Sequence, residues 1–96
     1  MQSAKGAVPG TQDAHSVHFY GLSTCVWCRR TRALLEELDV AFDYVYVDLL
    51  QGQERTDAIA EVRRWNKAGS FPTVIIDNAR AVVGFREDDL KRGLGL

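Results

Sequence analysis

The sequence predicts an α/β fold: a small four-stranded mixed β-sheet with helices on both faces, in the order β-α-β-α-β-β-α. Three observations lead there. The short β-prone run Val17-His18-Phe19-Tyr20 passes through Gly21 into a segment whose apolar residues recur near every 3.6 positions. A second run, Phe42-Asp43-Tyr44-Val45-Tyr46-Val47, is aromatic and β-branched and precedes another helical segment. Two further runs, Thr73-Val74-Ile75-Ile76 and Arg80-Ala81-Val82-Val83, flank Asp77-Asn78, a pair suited to a tight turn.

Each element has its own justification. In the first helical segment, from Cys25, the stripe Ala33, Leu34, Leu35 and Leu38 is apolar. Arg29, Arg30, Arg32, Glu36 and Glu37 make its polar face. Ser23 and Thr24 stand where a helix cap is wanted. Strand, helix and second strand form a βαβ unit, so the first two strands should be parallel. The second helix is expected from Gly52 to about Asn66, with Ile59 and Val62 on one face, and Gly69 ends it. The Asp77-Asn78 turn makes the last two strands an antiparallel hairpin. The final segment, Glu87 to about Leu94, opens acidic and closes with Lys91 and Arg92, an order that complements a helix dipole.

Ninety-six residues allow one domain, and 46% hydrophobic content supplies one modest core. Residues 1–16 lack periodicity and are rich in Gly, Ser, Thr and Gln. They are expected to form a flexible tail before a domain spanning 17–96. No run approaches the roughly 20 apolar residues of a membrane span. The N-terminal stretch lacks the apolar run of a signal peptide, so a cytoplasmic location is expected. A net charge of −1 argues against non-specific nucleic-acid binding.

The two cysteines, Cys25 and Cys28, lie in Cys25-Val26-Trp27-Cys28 at the start of the first helix. Three readings compete. A structural disulfide would close a loop of only a few residues and constrain the unfolded chain little. A zinc site would need His15 and His18 as further ligands. Positions three apart along a strand point to opposite faces, so these would not converge. A redox dithiol fits the placement. The thiolate is the nucleophile, and a helix N-terminus offers free N–H groups and positive potential to an anion. Cys25 would be the exposed attacking sulfur, with Arg29 and Arg30 adding positive field. Cys28, one turn in, would be the more buried resolving sulfur. No metal or organic cofactor is needed for such a cycle.

With these residues in place, the chain from 17 to 96 resembles a glutaredoxin of the thioredoxin superfamily. Thr24-Cys25-Val26-Trp27-Cys28 is similar to the active-site loop. Ser70-Phe71-Pro72-Thr73-Val74 is similar to the family's cis-proline loop, and Val83-Gly84-Phe85 to the turn before the last helix. The resemblance implies a thioredoxin fold and a thiol–disulfide oxidoreductase acting in electron transport and redox homeostasis. It also implies a substrate groove shaped by Thr24, Trp27, Phe71, Pro72, Gly84 and Phe85, in which the Phe71 backbone pairs with an extended thiol peptide. The expected partners are disulfide-containing proteins, and either glutathione or a disulfide reductase; a monomer is expected.

Departures from the family pattern bear on the reductant. Many glutaredoxins carry a lysine where this chain has Leu22. The common Gly-Gly pair is Val83-Gly84, and Gly84-Phe85-Arg86 is similar to the glutaredoxin-like electron donors of ribonucleotide reductase, which accept electrons from thioredoxin reductase. Arg63, Arg64 and Lys67 offer positive charge near the pocket or form a solvated helix face. Val26 replaces a common proline, and members lacking it more often hold an iron–sulfur cluster between two monomers. In that alternative Cys25 and glutathione would supply the ligands. Trp27 is read as a partly exposed flank of the groove, and Trp65 as core or boundary packing.

Overall fold

The computed structural model describes residues 3–96. Eight elements are numbered in chain order: strands β1 (Lys5–Val8), β2 (Val17–Gly21), β3 (Phe42–Tyr46), β4 (Thr73–Ile76) and β5 (Arg80–Val83), and helices α1 (Val26–Glu37), α2 (Gly52–Trp65) and α3 (Glu87–Leu94). A single 3-10 turn, Val47–Leu49, follows β3. The sheet order is β1-β3-β2-β4-β5. As the sequence implies, β2 and β3 are parallel, and β4 and β5 form an antiparallel hairpin. Asp77 and Asn78 both take positive φ, 57° and 49°, the backbone that a tight hairpin turn requires and that Asn and Asp tolerate.

The sheet has five strands where the sequence predicted four. The extra one, β1, lies in the segment read as a tail. It pairs antiparallel with β3, Lys5 opposite Val45 and Val8 opposite Phe42. Farther along, the Gln12 N–H donates to the Asp39 carbonyl at 2.9 Å, and the Gln12 carbonyl accepts from Ala41 N–H at 3.0 Å. The flexible-tail expectation is therefore corrected for these residues; residues 1 and 2 of that segment lie outside the described ones. The sequence hides β1 because an edge strand is held by its backbone. Lys5, Gly6 and Ala7 stay exposed, so no apolar alternation marks them.

Alternation does mark the inner strands. Val17 and Phe19 of β2, Val74 and Ile76 of β4, and Val82 of β5 turn to one face and join Leu34, Leu35, Leu90 and Leu94 in a single core. That face carries α1 and α3. Ile75, of opposite parity on β4, and Val62 of α2 are also fully enclosed but lie outside this cluster. α2 covers the second face, and the two-sided burial explains why Thr73–Ile76 reads as an unbroken apolar run. In α1 the buried stripe is Cys28, Thr31, Leu34 and Leu35. Ala33, predicted to belong to it, is exposed. α2 ends at Trp65, four residues before Gly69, whose φ of 67° closes the following turn. Among the described residues, no helix is long and apolar enough to cross a membrane.

Leu35 is fully enclosed in this core. Leu35→Ala should therefore lower stability by about 2–5 kcal/mol, transfer loss plus cavity. Urea denaturation of the reduced protein measures it, as a lower midpoint at unchanged slope.

Candidate functional site

β2 ends at Gly21, and four residues carry the chain into α1. The Cys25 N–H donates to the Leu22 carbonyl at 3.2 Å, which turns the loop. The helix cap is Cys25 itself, in extended conformation (φ −88°, ψ 120°). This corrects the expectation that Ser23 or Thr24 caps the helix. The Cys25 Sγ accepts from the Cys28 N–H at 3.3 Å, so the sulfur occupies the place a capping oxygen takes elsewhere. There it faces the unpaired amides and positive end of α1.

The two thiols are free and differ in exposure. Cys25 is partly exposed; Cys28 is 0% exposed and belongs to the core. The Leu22 N–H donates to the Cys28 Sγ at 3.4 Å. Burial, then the hydrogen bond to Cys25, push the Cys28 thiol up to about 12, with the charges of Cys25 and Asp48 acting the same way and the Leu22 amide opposing. Cys28 is thus a protonated, enclosed thiol beside an accessible sulfur.

The Phe71–Pro72 peptide bond is cis, as the resemblance implied. Pro72 is buried, and its carbonyl accepts from the Gly84 N–H at 2.8 Å. Gly84 has φ 82°, open to glycine and strained for other residues, so its backbone conformation selects its type. Phe71 makes no backbone–backbone hydrogen bond among the described residues. With Leu22, Asp48, Arg55, Ile59 and Arg63 it lines a cavity of about 200 Å³.

Trp27 builds another surface. It is 52% exposed, and neighbouring Val26 53%, so both present apolar area to solvent. The Trp27 ring stacks on Phe85 at 6.0 Å and 25°, and the Arg30 guanidinium lies 5.0 Å from its centre. Thr24 is exposed beside Cys25. Arg29 instead lines a groove with Arg32, Glu36, Tyr44 and Tyr46. The structure thus links Cys25 with Cys28, Pro72 with Gly84, and Trp27 with Phe85 and Arg30, and sets Arg29 apart. Trp65 is half-buried and its ring N–H donates to Glu61 at 3.0 Å.

The histidines belong elsewhere: His15 pairs with Asp77 at 2.6 Å and His18 with Asp43 at 3.2 Å. Among the described residues, no three or more His, Cys, Asp or Glu are grouped to hold a metal ion.

Sequence reasoning missed Asp48. Its Oδ1 accepts from the Ser23 N–H at 2.8 Å and its Oδ2 from the Ser23 hydroxyl. The partners are 25 residues apart, and no local spacing announces such a pair.

A family model described as Glutaredoxin matches residues 17–80. Among solved structures, the glutaredoxin of Methanosarcina mazei Go1 is 49% identical with a TM-score of 0.92; the match covers 99% of this chain and 91% of that one. Methanoredoxin of Methanosarcina acetivorans is 45% identical with a TM-score of 0.91, covering 99% of this chain and 100% of that one. A glutaredoxin of Archaeoglobus fulgidus is 35% identical with a TM-score of 0.76, covering 82% and 85%. No curated protein matches the sequence.

Proposed function

The chain belongs to the glutaredoxin family of thiol–disulfide oxidoreductases, and we propose that its Cys25–Cys28 dithiol reduces protein disulfides or glutathione mixed disulfides. The observation that carries this reading is the pair of unlike thiols: an accessible sulfur capping α1, and an enclosed one hydrogen-bonded through its own amide to the first.

The Cys25 thiolate attacks one sulfur of the substrate disulfide. A Cys25–substrate bond forms, the substrate S–S bond breaks, and the other sulfur leaves as a thiolate that takes up a proton. Cys28 then loses its proton and attacks the Cys25 sulfur. The second substrate thiol departs and the Cys25–Cys28 disulfide remains. Two electrons have passed to the substrate, and an external thiol or reductase returns them.

The free backbone groups of Phe71 pair with an extended substrate chain beside Pro72. Trp27 and Phe85 offer it apolar area, with Thr24 and Gly84 at the edges. The N-terminus of α1 supplies the field on the Cys25 thiolate, and Arg30, held over Trp27, and Arg29 follow it in the same helix as further positive charge. Arg55 and Arg63, in the cavity beside Phe71, provide positive charge for a carboxylate of glutathione where Leu22 cannot. The dithiol reading is preferred to cluster binding because enclosed Cys28 stands ready to close on Cys25, an arrangement that exchange chemistry needs and cluster ligation does not.

Reduction of a protein disulfide with dithiothreitol as electron source tests this. Catalysed, Cys25-dependent reduction is expected; a rate equal to that of dithiothreitol alone overturns the proposal. Coupling a glutathione mixed disulfide to glutathione, glutathione reductase and NADPH then identifies the reductant. NADPH loss assigns it to glutathione, and its absence to a disulfide reductase.

A further inference from the structure

Asp48 lies in the 3-10 turn after β3, outside the Cys-x-x-Cys segment, yet it grips the loop that holds both sulfurs. Its two oxygens accept the amide and the hydroxyl of Ser23. The next residue back, Leu22, gives its N–H to the Cys28 Sγ and its carbonyl to the Cys25 N–H. One carboxylate therefore fixes the backbone that touches both halves of the dithiol.

The carboxylate is a lasting anion. Partial burial pushes the Asp48 carboxyl up. The Ser23 hydroxyl and amide, its own amide and Arg55 outweigh this, so it sits below the ordinary carboxylate range. The charged or titratable groups acting on Cys28 are Cys25 and Asp48, and both oppose a second negative charge there.

We infer that Asp48 is a positioning residue that clamps the Leu22–Ser23 loop and, through its charge, adds to burial in holding Cys28 as the thiol while Cys25 attacks. This rests on the dithiol reading. It adds a role for a residue that contacts neither sulfur. Two like charges in a site of low polarity repel far more strongly than in water, so a fixed carboxylate delays ionisation of the resolving thiol. Once Cys25 is bonded to substrate, its own charge is gone, and Asp48 is the charge that still acts on Cys28 beside its burial.

The test isolates that influence. In a Cys25→Ser background, Cys28 is the one thiol present, and its alkylation by iodoacetamide is followed against pH. Adding Asp48→Asn, which keeps an oxygen for the Ser23 amide and removes the charge, should move the midpoint to lower pH. At a fixed pH below the midpoint the rate should rise about three- to tenfold, since one pH unit is tenfold in thiolate. Asp48→Ser, a shorter neutral replacement, should move the midpoint in the same direction, whereas Ser23→Ala, which loses a clamp contact and keeps the charge, should leave it in place.

A rate raised by the same factor at every pH, with the midpoint unmoved, would make Asp48 only a loop clamp and overturn the inference. If Asp48→Asn does not fold, an unmoved midpoint in Asp48→Ser overturns it equally. Failure of the dithiol reading would appear separately, as an intact protein that reduces no disulfide, because alkylation of Cys28 requires no turnover.

Discussion

Replacing Cys25 with serine is expected to abolish disulfide reduction, by about 10³-fold or more, while leaving the fold intact. The serine hydroxyl can still accept the Cys28 N–H as a helix cap. It remains un-ionised at neutral pH and cannot form the mixed disulfide through which exchange must pass. The assay is reduction of a protein disulfide with dithiothreitol, with far-ultraviolet circular dichroism as the control for folding. The same sulfur should dominate the chemistry of the parent protein. At pH 7, iodoacetamide should add one label to the reduced chain, on Cys25, because Cys28 is fully enclosed and its thiol is pushed up to about 12. Retained activity in Cys25→Ser, or a first label on Cys28, would reverse the roles of the two cysteines.

Cys28→Ser has a different signature. The first exchange survives and the second is lost, so the Cys25–substrate disulfide should accumulate as a near-stoichiometric adduct, visible by mass spectrometry without reductant. Well-oriented neighbours reach effective molarities on the order of 10⁵ M, and millimolar external thiol cannot match that. Turnover should fall by at least about 100-fold, with a residual rate that rises with thiol concentration. The variant should also change the alkaline stability of the reduced protein. The Cys28 thiol is raised from 9.0 to about 12, so the folded state holds that proton more tightly than the unfolded chain does. That contribution is fully present below pH 9 and is lost as pH rises toward 12. Urea midpoints between pH 8 and pH 11 should therefore fall less steeply in Cys28→Ser than in the parent. Equal slopes would mean that burial does not govern this thiol.

The elements that were legible in the sequence are those whose local pattern and tertiary role agree. β2, β3, the β4–β5 hairpin and all three helices carry apolar periodicity, charge order or turn residues that match where they pack. The disagreements have specific causes. β1 is held by backbone bonds to β3, and three of its four residues, Lys5 to Ala7, remain in solvent, so composition made Lys5–Val8 look like linker. Ser23 has the chemistry of a helix cap, and the sequence assigned it that task. The fold gives its hydroxyl and amide to Asp48 and leaves the cap to a sulfur. Arg29 and Arg30 are neighbours in the chain, but one helical step turns them about 100° apart. One guanidinium lies over Trp27, and the other residue lines a groove with Tyr44 and Tyr46.

By itself the sequence determined the kind of chemistry. Cys25 and Cys28 sit one helical turn apart at the start of α1, and both the N-terminal field and the closeness of the sulfurs follow from helix geometry within four residues. Pro72 and Gly84 were marked by the motifs of the family resemblance. The expected order of exposure, Cys25 outside and Cys28 inside, also came from the sequence and is what the structure has; only the tertiary structure decided which carboxylate, brought from 25 residues away in the chain, anchors the loop that leads into them. Contacts and charges between distant segments depend on the path of the whole chain, and no local spacing encodes them.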